Sequence, residues 1–258
     1  MPLPELRHRD PLLFWTGAAM LLLLVVATLL SIGDTRQILG VSPWLKPIKF
    51  MVSVAIFLWS VAWFMPETRP VPRLRAVVRW TIAGAMAIEI ILIVMQAARG
   101  TTSHFNVGTP FDGAVFGLMG TAIIANTSAM ALFLGIIRRD TPAHRAGYLW
   151  GIRAGLVLFL LGSLQGYVMI ANMGHAVPGP DGGPGLPFVN WAIDQGDLRA
   201  AHFVSLHGLQ ALPLLGFLLD RARLPAARTI VVSVGLLWLA AATGLLYMAL
   251  QGRPLLAL

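Results

Sequence analysis

The sequence predicts an all-α, polytopic integral membrane protein, with about seven transmembrane helices in one bundle and the N-terminus in the cytoplasm. Three observations carry this. First, of 258 residues 57% are hydrophobic and only 12% charged, about half the charged share of a soluble domain. Second, the apolar residues form continuous runs, not alternating ones. In lipid every backbone N–H and C=O must be satisfied internally, so continuous runs mean helices and not a barrel. Third, the positive charges collect in alternate short loops. Thirteen of the 19 Lys and Arg residues fall at one end of the predicted spans and six at the other, which puts the richer end in the cytoplasm. That placement also explains the net charge of +8 without nucleic acid, which we exclude as a partner. The lipid bilayer is the expected surrounding, and a bacterial inner (cytoplasmic) membrane the expected location.

The spans are expected at about 11–32, 50–66, 77–98, 114–137, 148–173, 200–219 and 229–250, with ends uncertain by ~2–4 residues. Arg7 and Arg9 precede the first, which has no small-residue cleavage site and reads as an uncleaved signal anchor. The second is short and can begin nearer Trp44, with Pro47 in its first turn. Lys46 and Lys49 enter it at the end that normally avoids lysine. They either snorkel to headgroups or bind an anion. Lys49, Ser53 and Ser60 lie on one stripe. In the third span Gln96 falls ~20° from Glu89 on the helical wheel and Arg99 ~80°. An ionisable residue within a span costs several kcal/mol and normally faces the bundle interior or a wet cavity.

Asn126 is the polar residue near the middle of the fourth span. In the fifth, Gly151 and Gly155 fit close helix packing, while Gln165 and Asn172 share a face that ends near His175. The tract 177–187 is rich in Gly and Pro and reads as a turn-rich loop. Residues 188–194 then suggest a short interfacial helix anchored by Trp191. Asp197 suits an N-cap for the sixth span, which carries Arg199, His202, His207 and Gln210. Thr243, Tyr247 and Gln251 recur every four residues at the end of the seventh. No repeat and no soluble domain is evident, so residues 1–258 read as one domain.

The residues able to do chemistry gather at the arginine-poor end. Four of the six histidines, His104, His175, His202 and His207, are expected there, whereas His8 and His144 fall in arginine-rich segments. Imidazole is the commonest metal ligand, and these four are candidates for haem or for a copper or zinc ion. His202 and His207 are ~140° apart on the wheel, so they do not form a one-face pair. Glu89, Gln96, Arg99, Gln165, Asn172 and Gln210 are candidate pocket residues, and Lys46, Lys49 and Arg199 candidate anion ligands. The absence of cysteine excludes disulfides, thiolate metal sites and thiol nucleophiles. The chain also lacks a phosphate-binding glycine loop, a His-Glu-x-x-His motif and a Gly-x-Ser-x-Gly elbow.

The strings at 44–50 (Trp-Leu-Lys-Pro-Ile-Lys-Phe), 96–106 (Gln-Ala-Ala-Arg-Gly-Thr-Thr-Ser-His-Phe-Asn) and 196–207 (Gly-Asp-Leu-Arg-Ala-Ala-His-Phe-Val-Ser-Leu-His) resemble those of bacterial multi-pass membrane proteins to which no activity is assigned. The resemblance brings no catalytic residue with it. Three functions stay open: a redox protein binding haem or a transition metal, a proton-coupled transporter of a small polar or anionic solute, and a membrane enzyme or sensor for a lipid or outer ligand. The first two use the histidines and Glu89 respectively; the third needs a small-molecule ligand at the same end. The sequence names no partner subunit.

Overall fold

A computed structural model of the chain describes residues 3–256. It is all-α, with seven helices long and apolar enough to cross a membrane among the described residues, the architecture of a multi-pass membrane protein. The helices are α1 (Leu3–Arg9), α2 (Pro11–Gly33), α3 (Leu45–Phe64), α4 (Pro72–Arg99), α5 (Pro110–Ile136), α6 (Ala146–Asn172), α7 (Leu198–Arg221) and α8 (Ala227–Leu250). A two-residue antiparallel pair, β1 (Ala176–Val177) and β2 (Gly196–Asp197), closes the long loop between α6 and α7.

Most helices begin a few residues before the apolar run does, and prolines explain this. Pro11, Pro72 and Pro110 each open a helix, where a missing N–H costs nothing. Asp10 caps α2 by accepting from Leu13 N at 3.1 Å. The second long helix starts at Leu45 with Pro47 in its first turn, the earlier of the two starts the sequence allows. α4 ends at Gly100, whose φ of 74° suits a residue without Cβ. The short α1 was not expected from periodicity; it is too brief to show any.

The chain packs as two compact units, Met1–Phe133 and Leu134–Leu258. In the first, α2 lies against α3 through Gly17, where an added Cβ would come 2.7 Å from the Trp59 indole. That indole stacks on Phe14 with ring centroids 6.0 Å apart and donates to the Phe14 carbonyl at 3.1 Å. α4 meets α5 through Ile93, Val115 and Met119, with Phe50 of α3 against the same cluster.

In the second unit α6 and α7 are in backbone contact along their length. A Cβ on Gly155 would sit 2.7 Å from the Gly208 carbonyl oxygen, and one on Gly162 would sit 2.6 Å from Ser205 Cβ. Gly147 and Gly216 face each other in the same way: a Cβ on Gly147 would sit 2.8 Å from the Gly216 carbonyl oxygen. Helix association in lipid depends on such close packing, since apolar contact alone gains nothing over lipid tails. α8 adds Val231, Gly235, Ala242 and Ala249 as its buried face.

Candidate functional site

The polar residues of the first unit meet where α4 ends and α5 begins. Gln96, fully buried, donates from Nε2 to Asp112 Oδ1 at 2.9 Å. Arg99 Nη1 donates to the same oxygen at 2.5 Å and also to Gln96 Oε1. Thr109 Oγ1 completes the set, donating to Asp112 Oδ2 at 2.7 Å while it accepts from Asp112 N at 3.1 Å. Thr109 and Asp112 thus form a capping pair at the start of α5, three residues apart. The Arg99 guanidinium lies over Phe111 at 4.6 Å. The sequence brings Gln96 and Arg99 together but hides their partner. Asp112 was missed, although a Thr-x-x-Asp spacing before an apolar run is a legible cap.

The loop before α3 is tied to the same end. Asp34 accepts from Arg36 Nε at 2.9 Å and from Trp44 Nε1 at 2.9 Å, and Arg36 Nη1 reaches the Ala98 carbonyl at 3.0 Å. The Arg36 hydrogen bonds hold the Asp34 carboxyl far below its usual range, against a smaller opposing effect of burial.

Lys46 and His104 form a second cluster. Lys46 Nζ lies 3.1 Å from His104 Nδ1 and Ser103 Oγ lies 3.0 Å from it. An ammonium only donates, so Nδ1 accepts from it and the ring proton sits on Nε2. Phe50, Phe105 and Phe116 surround the imidazole with centroids 6.0–6.3 Å away. Glu89 is 2% exposed, and its Oε1 has no hydrogen-bond partner among the described residues. Lys46 is the charged group that acts on it electrostatically. Glu89 therefore does not join the Gln96–Arg99 set, although it shares their helix face. Ser53 and Ser60, by contrast, donate to their own helix at Phe50 O and Ile56 O. The Lys49 stripe is not assembled by its hydroxyls.

In the second unit each arginine-poor-end histidine has its own partner. His175 Nδ1 lies 2.6 Å from Asp181 Oδ2, His202 Nδ1 2.7 Å from the Gly162 carbonyl, and His207 Nδ1 2.9 Å from the Phe203 carbonyl. These oxygens only accept, so Nδ1 carries a proton in all three. His207 also stacks on Phe203 at 3.9 Å. Gln165 Oε1 accepts from Ser205 Oγ at 3.1 Å. Asn172 caps the end of α6, donating to Ala176 O at 2.9 Å, and Gln210 is half-buried. Among the described residues no group of three or more His, Cys, Asp or Glu side chains stands close enough to hold a metal ion.

One expectation changes. Residues 188–194 are not helical: they form turns and an isolated bridge between Gly185 and Ala192. Phe188 and Asn190 take φ of 64° and 55°, which a right-handed helix forbids. Asp197 accepts from Ala192 N at 2.8 Å, pinning the turn instead. Asp197 does cap α7, accepting from Arg199 N at 2.9 Å. Arg199 is bound to Asp197 Oδ2 and to the Asn190 carbonyl, both at 2.5 Å, so it braces the loop. Finally, Thr243, Tyr247 and Gln251 are exposed, because α8 buries its small residues and turns this stripe outward.

Asp181 was also missed; a carboxylate within a Gly/Pro tract has no periodicity to reveal it. Its carboxyl is raised by burial, but the His175 ring and the backbone N–H groups of His175 and Ala176 pull it well below the usual range. Compared with known proteins, the chain matches no family model, no curated protein and no solved structure.

Proposed function

We propose that the first unit carries a proton-linked site for a small polar or anionic solute reached from the arginine-poor end, in a bacterial inner membrane with that end outermost. One observation carries this reading. Glu89 is buried within a span with an unbonded carboxylate oxygen, and the charge acting on it, Lys46, is itself bonded to His104 near the helix end. An intramembrane ionisable group of this kind marks a solute path or a proton relay by default. His104, Lys46 and Glu89 come from a loop, α3 and α4, and are the titratable groups this reading uses. Glu89 binds and releases the proton, Lys46 offers the charge that attracts an anion, and the aromatic rings around His104 exclude water from the entrance.

The test is proton uptake by the purified protein after an acid jump, followed by gradient-driven uptake of small carboxylates into proteoliposomes. Glu89→Gln takes up one proton fewer and loses gradient-driven uptake. Lys46→Gln keeps the proton but binds the carboxylate at least about tenfold more weakly. Wild-type behaviour in Glu89→Gln defeats the reading.

A second reading rests on the histidines of the second unit. In metal and haem proteins a ligating imidazole donates its other N–H to a carbonyl or carboxylate, as His175, His202 and His207 do. An absorption spectrum with elemental analysis separates the two: a Soret band, or a stoichiometric metal lost in His207→Ala, supports this alternative. A colourless, metal-free protein made with haem and metals supplied removes it.

A further inference from the structure

We infer that the arginine-rich end of the second unit holds a site for the phosphate of an anionic phospholipid headgroup, built on Arg153, Arg228 and Trp150. The guanidinium carbons of Arg153 and Arg228 lie 5.2 and 4.3 Å from the ring of Trp150. Two like charges thus share one indole, from neighbouring helices α6 and α8. Arg153 begins about two turns inside α6, yet it reaches back to the loop, donating from Nη2 to the Arg138 carbonyl at 2.5 Å. This is a snorkelling side chain with its head fixed at the membrane surface.

The acids at this end are already committed. Asp140 is paired with Arg138. Asp220 accepts from the backbone N–H groups of Gly147 and Tyr148 at 2.9 and 2.7 Å, covering the start of α6. The segments 134–153 and 218–228 together hold seven arginines, 138, 139, 145, 153, 221, 223 and 228, against these two acids. Arg228 belongs to the first turn of α8, which has neither a side-chain cap nor an acidic residue. Its N–H groups and helix dipole add to the same positive field. Charge alone would satisfy the topology rule. Two guanidiniums at one aromatic ring go further, because flat donors from two helices suit a phosphate diester, although Arg153 also donates to Thr141 Oγ1 at 3.3 Å.

The probe is phosphatidylglycerol titrated onto the full-length protein in detergent, read by native mass spectrometry and by the rise in unfolding temperature. Phosphatidylcholine and inorganic phosphate serve as the other arms. Phosphatidylglycerol binds and stabilises, and Arg153→Gln with Arg228→Gln weakens it by about tenfold or more. Arg153→Lys with Arg228→Lys, which keeps the charge and the fold, recovers only part of the affinity. Arg221→Gln with Arg223→Gln leaves it within about twofold. Equal loss in this control, or no loss in the first pair, overturns the site. Inorganic phosphate protecting as well as the lipid overturns the assignment to a headgroup.

Discussion

Where α4 meets α5 in the first unit, Gln96, Arg99, Asp112 and Thr109 add hydrogen bonds between side chains to the apolar cluster of Ile93, Val115 and Met119. Where α6 meets α7 in the second, Gly147 and Gly216 bring backbone against backbone with no side chain between. The two units solve one problem differently. Lipid removes the hydrophobic gain from helix association, so helices must be joined either by polar groups or by close approach. The first route leaves titratable groups inside the membrane region, where chemistry can use them. The second gives tight packing and leaves its histidines each tied to a single oxygen.

The sharpest way to break this contrast is Gly216→Leu. A Cβ there falls on the Gly147 backbone and 2.7 Å from Tyr148 N, and backbone cannot step aside as a flexible side chain can. A loss of about 3 kcal/mol or more is expected, with hydrogen exchange rising in α6 and α7 and unchanged in α2 and α3. Gln96→Leu comes next. It removes a buried donor from Asp112 and an acceptor from Arg99, costing about 1–3 kcal/mol, seen as a lower unfolding temperature and faster exchange at 109–113.

Asp181 gives a pH dependence confined to the second unit. Its folded value is depressed, so its contribution is fully present above the ordinary carboxylate value of about 4 and drains away as pH falls through the lower folded value. Hydrogen exchange of 174–197, corrected for its intrinsic pH dependence, increases in that acidic window and is flat in Asp181→Asn. The smallest effect expected is at Glu89. Replacing an unbonded buried carboxyl by leucine changes stability by about 1 kcal/mol or less, or raises it, while proton uptake is lost. A large loss of stability instead makes Glu89 a structural group and draws the first unit closer to the second.

The spans and their order were legible because each helix needs about twenty apolar residues and nothing else mimics that length. The glycines of α6 were legible too, at spacings of four. The bonded sets were not. Gln96 and Arg99 could be seen sharing a face, but Asp112 and Thr109 lie across a loop, and helical wheels say nothing about which helix comes next in space. The turns at 188–194 follow from two left-handed residues that no composition rule singles out, so the sequence suggested a helix where the chain folds back. His202 and His207, five residues apart, each meet a separate carbonyl.

Gly196 lies against the backbone of Ala249, with an added Cβ 2.8 Å from its carbonyl carbon, and Gly252 sits on Pro178. The loop that carries His175 and Asp181 is thereby clasped to the end of α8 at both of its strands. A side chain larger than hydrogen at Gly196 would press on the Ala249 backbone, so the fit of this loop against α8 depends on a missing Cβ.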